Sequence, residues 1–136
     1  MTVIINDNGF VQDDWTGGFA DVCAANFAPE TGLDLGSDAD PYALADHLSE
    51  LKMIRVAFPD FADGRGYTIA RQLRLQGYTG RLRAHGHVLA DQYAMARRSG
   101  FDEVEIDADL AARQPEDQWL ARADWRAHDY QSRLRG

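Results

Sequence analysis

The feature that most constrains the fold is the alternation of strands with glycine-ended helices, repeated at intervals of about 25 residues. Three runs have strand character: Met53 to Phe58, Arg81 to His85 and Glu103 to Ile106. The segments between them carry apolar residues at spacings of three and four, and each ends in a glycine, Gly77 or Gly100, followed by an aromatic residue. This order predicts right-handed βαβ units and a mostly parallel α/β sheet. Because 136 residues cannot close eight β/α units, we expect either an open flavodoxin-like sheet or a half-barrel.

The flanks of this core predict a hairpin at one end and a helical segment at the other. The β-branched run Val3 to Ile5 and the segment Phe10 to Trp15 are separated by a turn with Asn8-Gly9 at its tip. Near the other end, Pro115 is placed to begin a helix with Trp119 on its inner side. We therefore expect one domain over residues 1–136. It comprises a hairpin in 1–15, a βα core in 37–107 and a helical segment in 108–136.

Two stretches before the core are less regular. Asp40 and Pro41 suit the cap and first position of a helix that runs to Leu51. Residues Ala20 to Phe27 fit a short helix, and Gly32 to Gly36 fit a short strand.

Charge is distributed unevenly along the chain. The formal net charge is −8, to which residues 1–63 contribute −10, residues 64–100 contribute +6 and residues 101–136 contribute −4. An acidic protein with one basic island is unsuited to general nucleic-acid binding and favours a small anion or an acidic partner. Alternatively, the arginines form ordinary surface pairs on solvated helix faces. Four of them fall on such faces: Arg71, Arg74, Arg97 and Arg98.

Several classes of protein are excluded by what the sequence lacks. No apolar run approaches membrane-spanning length, and the first ten residues do not have the pattern of a secretory signal. Cys23 is the only cysteine, which excludes an internal disulfide, a CxxC pair and a cluster held by several cysteines. A dinucleotide fingerprint is absent as well, so we expect no cofactor, and binding of a flavin or nicotinamide without a recognisable motif is a third, open hypothesis. The expected protein is cytoplasmic and binds neither membranes nor nucleic acid.

The candidate site follows from the position of two loops. In parallel α/β sheets, ligands bind at the loops that follow the strands, here Pro59 to Tyr67 and His85 to Gln92. If the two strands are neighbours, both loops open at one edge of the sheet. We assign acid/base roles to Asp63 and Asp91. The predicted substrate-binding residues are Asp60, Gly64, Arg65, Gly66, Tyr67, Arg83, His85 and Gln92.

The turn Asp63-Gly64-Arg65-Gly66 suits an anion cradle. Glycines allow backbone N–H groups to approach a ligand, and Arg65 adds a planar fork that matches sulfate, phosphate or carboxylate. The turn is neither GxGxxG nor a P-loop. The structural alternative is that Gly64 forms a tight turn and Gly66 allows the helix to pack closely on the sheet.

The two loop histidines have weaker signals. His85-Gly86-His87 lacks the spacing of known histidine–carboxylate metal motifs, and we expect no metal. A histidine at the end of a strand can serve as a general base, or it can be a bystander.

Three segments together resemble a known family: FPDFADGRGYTIARQLR, GYTGRLRAHGHVLADQ and RRSGFDEVEI. The sequence from about Pro41 to Ile106 is similar to a bacterial family of unknown function numbered nine-three-four. Its members are often labelled as oxidoreductases, and their genes commonly lie beside those for sulfite reductase. The family tends to have an apolar residue at the position of His85 and an acid at that of His87, and this chain departs from it at both. The family has no established catalytic residues.

The resemblance implies a role in assimilatory reduction of sulfate and sulfite. It motivates one hypothesis, an accessory protein that presents either an oxyanion-binding cleft or its acidic faces to a partner. The expected partners are sulfite reductase or the adenylylsulfate-reducing enzymes, and a small anion is the expected ligand. The competing hypothesis is a small enzyme that acts on an anionic substrate by acid/base chemistry. A homodimer is the default expectation for a short bacterial chain.

Overall fold

A computed structural model describes residues 2–21, 31–45 and 48–121. Its described part contains one sheet of seven strands, ordered β2-β1-β7-β6-β5-β4-β3. The strands are β1 (Thr2–Asn6), β2 (Gly9–Val11), β3 (Phe19–Asp21), β4 (Gly32–Leu35), β5 (Met53–Phe58), β6 (Arg81–Gly86) and β7 (Glu103–Asp107). β3 to β7 are parallel neighbours, whereas β1 is antiparallel to both β2 and β7. The predicted α/β fold, with a mostly parallel sheet and an N-terminal antiparallel pair, is confirmed.

The parallel strands lie side by side in chain order, as they do in a β/α barrel. A flavodoxin-like sheet would reverse direction at one point and so create a switch-point crevice, and this sheet has no such reversal. Right-handed crossovers that all advance in one direction place their helices on one face. Of the two alternatives, the half-barrel is therefore the correct description of the connectivity.

The described α-helices all contribute to one apolar core on one face of the sheet. They are α1 (Arg65–Leu75), α2 (Tyr93–Ser99), α3 (Ala108–Arg113) and α4 (Glu116–Leu120). Their buried side chains form a single cluster with Ile54, Val56 and Phe58 of β5 and with Val104 and Ile106 of β7. We call this side the helix-covered face. Side chains alternate along each strand, and the residues that point to the helices are the apolar ones.

The opposite side, the helix-free face, has charged and titratable residues at the alternate positions. In β5 to β7 these are Arg55, Arg81, Arg83, His85, Glu103 and Glu105. The cross-strand register places Arg83 beside the opposite charge of Glu103, and His85 beside Glu105. Glu103 and Glu105 are buried, and Arg83 has no exposed surface.

The hairpin and the last helices require small corrections. The hairpin turn comprises Asp7 and Asn8, one residue earlier than expected, because Asn6 pairs directly with Gly9. Gly9 has a φ of 103°, which glycine adopts without the steric cost of a Cβ. The second strand ends at Val11 rather than Trp15. α3 precedes the helix expected from Pro115, and α4 buries Trp119 but leaves Leu120 exposed.

Two predicted helices differ more. Asp40 accepts a hydrogen bond from Tyr42 N as expected, but it caps a 3₁₀ turn over Pro41–Leu44, and residues 48–50 form a turn rather than a helix. Within the predicted helix Ala20 to Phe27, Ala20 and Asp21 belong to β3, and residues 22–27 lie outside the described residues. In the described ranges no helix is long and apolar enough to cross a membrane.

Candidate functional site

Arg83 is the centre of a buried ion-pair layer on the helix-free face. Its Nε donates to Glu103 at 2.7 Å and its Nη1 donates to Glu105 at 2.9 Å. From the loop after the hairpin, Asp13 receives a third bond from Nη2 at 2.9 Å. Burial by itself would lower the pKa of Arg83, but the hydrogen bond to Asp13 and the charge of Glu103 raise it above its usual value. In turn, the hydrogen bond from Arg83 lowers the pKa of Asp13. Arg83 therefore stays charged and Asp13 stays ionised at neutral pH.

Arg55 extends this layer toward the edge of the sheet. Its Nε and Nη2 form a fork on Asp34 at 2.6 and 2.7 Å, and its Nη1 donates to Glu105 at 3.1 Å. The guanidinium also lies 3.7 Å from the ring centroid of Phe19, which is stacking distance. His85 lies next to it, with Nε2 3.5 Å from Glu105. Burial lowers the pKa of His85, although the charge of Glu105 opposes this, so the imidazole is neutral at neutral pH.

A small cavity opens where the carboxyl ends of β5, β6 and β7 meet. It has a volume of about 170 Å³, and its lining residues are Phe61, His87, Asp107, Asp109, Leu110 and Arg113. The Nδ1 of His87 lies 3.3 Å from the carbonyl oxygen of Phe58, which requires a proton on Nδ1 for a hydrogen bond and leaves Nε2 as an acceptor. The same carbonyl accepts from His87 N at 2.8 Å. Only a glycine fits at position 86 beside this carbonyl. A Cβ there would lie 2.6 Å from the Phe58 oxygen, and the φ of Gly86 is 120°.

The predicted cradle at Asp63 to Gly66 is closed by its own side chains. The Nε and Nη2 of Arg65 donate to Asp63 at 3.0 and 2.8 Å, and Nη2 also donates to Ser37 Oγ at 2.9 Å. The hydrogen bonds from Arg65 hold the pKa of Asp63 well below its usual range. An aspartate in this state is a weak base and a poor acid, so its acid/base role stays a prediction without geometric support.

Gly66 and Tyr67 face the core instead of a ligand. A Cβ at Gly66 would lie 2.5 Å from the ring of Phe58, so this glycine permits close packing of α1 on β5, as the structural alternative held. The ring of Tyr67 packs on Phe58 at 4.9 Å. Its hydroxyl is buried and has no hydrogen-bond partner among the described residues, and burial raises its pKa. Gly64 is exposed and precedes α1.

The residues predicted in the second loop have mixed positions. Asp91 is exposed in a 3₁₀ turn over Ala90–Gln92 that precedes α2. Gln92 connects the two loops: its Oε1 accepts from Leu89 N at 2.8 Å and its Nε2 donates to the carbonyl of Phe61 at 2.9 Å. Asp60 is exposed and accepts from Ala62 N. The two loops are thus neighbours at one edge, as predicted.

Arg65 and Arg83, both predicted to bind the substrate, do not face a common site. Arg65 is exposed at the edge of the sheet, whereas Arg83 points from the middle of β6 into the helix-free face. Each guanidinium is bound to carboxylates of the chain itself. Side chains alternate between the two faces along β6, and this alternation turns both Arg83 and His85 to the helix-free face. Neither side chain therefore points toward the loop that carries Arg65.

The two edges of the parallel sheet differ in charge. At the carboxyl rim, the described residues of the loops after β4 to β7 include seven carboxylates and two guanidiniums. These are Asp38, Asp40, Asp60, Asp63, Asp91, Asp107 and Asp109, with Arg65 and Arg113. At the amino rim, where these strands begin, the described residues carry equal numbers of bases and acids. The bases are Lys52, Arg74, Arg81, Arg97 and Arg98, and the acids are Asp7, Asp14, Glu50, Asp102 and Glu103.

Sequence reasoning missed both this polarity and the ion-pair layer, although a signal for each was present. The alternation Arg-Leu-Arg-Ala-His from Arg81 and Glu-Val-Glu-Ile-Asp from Glu103 marks one charged face on each strand. The charge difference between the two rims could be found by comparing the charged residues that precede each predicted strand with those that follow it. Among the described residues, no three histidine, cysteine, aspartate or glutamate side chains are grouped closely enough to hold a metal ion.

Comparison with known proteins agrees with the family resemblance. Neither curated proteins nor solved structures gave a significant match. A family model described as "Bacterial protein of unknown function (DUF934)" matches residues 32–136, which include β4 to β7 and the described α-helices. By this match the chain belongs to the DUF934 family of bacterial proteins of unknown function.

Proposed function

We propose that this protein is an accessory component of assimilatory sulfate and sulfite reduction that docks on a partner enzyme through its carboxyl rim. The pathway is suggested by the resemblance around Phe58 to Gln92. The mode of action is suggested by the charge of the rim. A sulfite reductase or an adenylylsulfate-reducing enzyme with a basic surface is the expected partner.

The observation that carries the proposal is the concentration of carboxylates on consecutive loops. The loops follow four adjacent parallel strands, so their acids form one edge rather than scattered charges. One of the two guanidiniums there, that of Arg65, is already neutralised by Asp63. Such an edge increases the rate of encounter with a basic surface, and the attraction is weakened by salt.

The same charges argue against an oxyanion at this edge. Among the described residues of this rim, a sulfate or sulfite ion would meet seven carboxylates and one guanidinium without an ion pair, that of Arg113. Like charges repel, so a partner's lysines and arginines fit the rim better than a small anion does.

The test is co-purification from a native host grown under sulfate limitation. The rim variant carries Asp38→Asn, Asp60→Asn and Asp109→Asn, and Glu50→Gln, an exposed carboxylate at the amino rim, is the control. We expect the wild type and the control to retain the reductase, and the rim variant to lose it at physiological salt. Equal retention by all three proteins, or normal growth of a deletion strain on sulfate, would refute the proposal.

A small acid/base enzyme is the second candidate, and the orientation of His87 favours it. The bond to the Phe58 carbonyl leaves Nε2 as a proton acceptor in the cavity that Arg113 and Asp109 also line. A cavity of about 170 Å³ suits a substrate of only a few heavy atoms. The residues first expected to act, Asp63 and Asp91, do not line this cavity.

This candidate is tested by following the ring nitrogens of His87 by NMR during titration with small carboxylates and sulfur oxyanions. Binding at the cavity would shift the Nε2 resonance. The substitution His87→Gln would abolish binding and should leave the protein folded, because His87 is exposed. If no compound in the series moves that resonance, the enzymatic alternative is rejected.

A further inference from the structure

The cavity at the carboxyl ends of β5, β6 and β7 is lined by two opposite charges that do not pair with each other. Asp109 and Arg113 are four residues apart on α3, and both line the cavity. At this spacing an acid and a base lie on the same side of a helix and commonly interact. Here neither side chain forms an ion pair or a hydrogen bond with any residue that the structure describes. The carboxylate and the guanidinium are therefore both available to a ligand.

Two further groups in the lining are hydrogen-bond acceptors. Asp107, the last residue of β7, accepts from Leu110 N through Oδ1 at 2.8 Å, while its Oδ2 receives no bond from a described residue. The Nε2 of His87 is an acceptor as well, because Nδ1 carries the proton in its bond to a backbone carbonyl. With Asp109, the lining thus offers three acceptor side chains beside one guanidinium, that of Arg113.

The charges of the lining determine which ligands fit. Apart from the histidine, its charged side chains are two carboxylates and one guanidinium. A simple anion would be attracted by Arg113 but repelled by both aspartates, and a simple ammonium ion would leave Arg113 without a partner. A molecule that carries an ammonium and a carboxylate group satisfies both signs of charge at once.

The apolar residues and the size of the cavity limit the ligand further. Phe61 and Leu110 form the apolar part of the lining, and the ring of Phe61 meets that of His87 edge to face at 5.1 Å. The volume of about 170 Å³ equals that of about six water molecules at ~30 Å³ each. The cavity therefore suits a ligand of few heavy atoms with a short apolar side chain.

We propose that this cavity binds a small α-amino acid in its zwitterionic form. Arg113 contacts the carboxylate, for which its planar guanidinium is suited. Asp107 and Asp109 contact the ammonium group, and Nε2 of His87 accepts one of its hydrogen bonds. The two apolar residues of the lining contact the side chain. The place agrees with the general position of ligands in parallel α/β sheets, at the carboxyl ends of the strands.

Binding of an amino acid is separable from both functions proposed above. It rests on the same cavity as the acid/base enzyme, but it requires no reaction. An amino acid that binds and is not converted would therefore support the binding site and count against the enzyme. Docking on a reductase is tested with that partner present, whereas the ligands used here need none, so failure of either proposal leaves the other measurable.

The experiment titrates the wild-type protein with alanine, propionate and ethylamine, and follows backbone amide shifts by NMR. We expect alanine to shift the amides of His87, Asp109 and Arg113. It should bind about tenfold more tightly than either of the other two, because each of them lacks one hydrogen bond between charged groups. Tryptophan, which is too large for the cavity, should bind more weakly than alanine. Ethylamine that binds as tightly as alanine, shifts confined to the amino rim, or no shifts at all would overturn the proposal.

Two variants are expected to have effects of opposite sign on the partial ligands. Arg113→Gln should weaken alanine binding by about tenfold and leave ethylamine binding unchanged or tighter. Asp109→Asn should weaken the binding of alanine and ethylamine but strengthen that of propionate. Local unfolding cannot produce this pattern, since it would weaken all three ligands.

Each variant has a matched control. Arg71→Gln removes an exposed arginine from α1, and Asp117→Asn removes an exposed acid from the first turn of α4, as Asp109→Asn does in α3. Neither control residue lines this cavity, and both proteins should bind alanine as the wild type does. Equal weakening by Asp109→Asn and Asp117→Asn, or an Arg113→Gln protein that still prefers alanine to ethylamine, would refute the zwitterion site.

Discussion

The two faces of the sheet use the same strands but opposite chemistry. On the helix-covered face, Ile54, Val56 and Val104 are buried among the side chains of the helices. On the helix-free face, Arg83 and Glu105 are buried as deeply, but they are held by ion pairs rather than by apolar contact. The two faces therefore depend on different forces, the first on removal of apolar surface from water and the second on mutual compensation of charges.

The connectivity explains why the faces differ. Since the strands follow one another in order, the described crossover helices lie on the same side, and no described helix covers the other side. In a closed β/α barrel that second side would be the interior, filled by side chains from neighbouring strands. Here the described residues 13 and 14 reach it from the loop after the hairpin and pair with Arg83 and Arg81.

The substitution Arg83→Met tests most directly whether the helix-free face depends on compensation of buried charges. It leaves Glu103 and Glu105 buried without their central partner, so we expect a loss of about 3–5 kcal/mol in the free energy of unfolding. Chemical denaturation monitored by circular dichroism measures it. Arg71→Met, which changes an exposed arginine on α1, is the matched control and should change stability by less than about 0.5 kcal/mol.

A second variant separates the charge network from simple packing. Replacing Arg83, Glu103 and Glu105 together with Met, Leu and Leu removes the buried charges as well as the pairs. It should be clearly more stable than Arg83→Met alone, because no buried carboxylate is left without a partner, and Asp13, which also loses Arg83, is 39% exposed. If the triple variant is less stable than the single one, the layer is held by shape rather than by charge compensation.

The fold was largely accessible from the sequence because its signals are local. The limits of β5 match the expected Met53 to Phe58, and α1 and β6 lie where periodicity and glycines placed them. The helix expected to run from Pro41 to Leu51 was wrong, since the described residues there form a 3₁₀ turn over Pro41–Leu44 and a turn over 48–50. Leu44, Leu48 and Leu51 have helical spacing and are buried, so apolar spacing alone did not distinguish these turns from a helix.

The site was less accessible because it depends on which face a side chain occupies. Arg83 and His85 are close in sequence to the loop that carries His87, but strand alternation turns them to the helix-free face. Partner choice is equally non-local. Arg83 forms a hydrogen bond with Asp13, 70 residues away, and no sequence pattern around either residue predicts this contact.

The helix-covered face is tested by Gly66→Ala. The new methyl group would lie 2.5 Å from the ring of Phe58, which is fixed by the rings of Tyr67 and Phe101 at 4.9 and 5.7 Å. Alanine favours helix formation, but overpacking of a fixed ring costs more, and we expect a net loss of about 1–3 kcal/mol. Thr68→Ala on the exposed side of α1 is the control and should be neutral or slightly stabilising. A stabilised Gly66→Ala protein would show that the sheet and α1 do not pack tightly here.

The smallest expected effect concerns the pH dependence of the helix-free face. His85 faces Glu105, Arg55, Asp34 and Arg83, and burial keeps its pKa below 6.5. When the pH falls below about 6.5, the unfolded chain takes up a proton that the folded protein does not, so stability decreases until the folded pKa is reached. The slope is at most about 1.4 kcal/mol per pH unit for this one proton. In His85→Gln that contribution to the slope should disappear while the stability above pH 7 changes little. Denaturation curves of both proteins between pH 5 and 8 measure the difference, and an unchanged slope would show that the imidazole is as well solvated in the folded protein as in the unfolded chain.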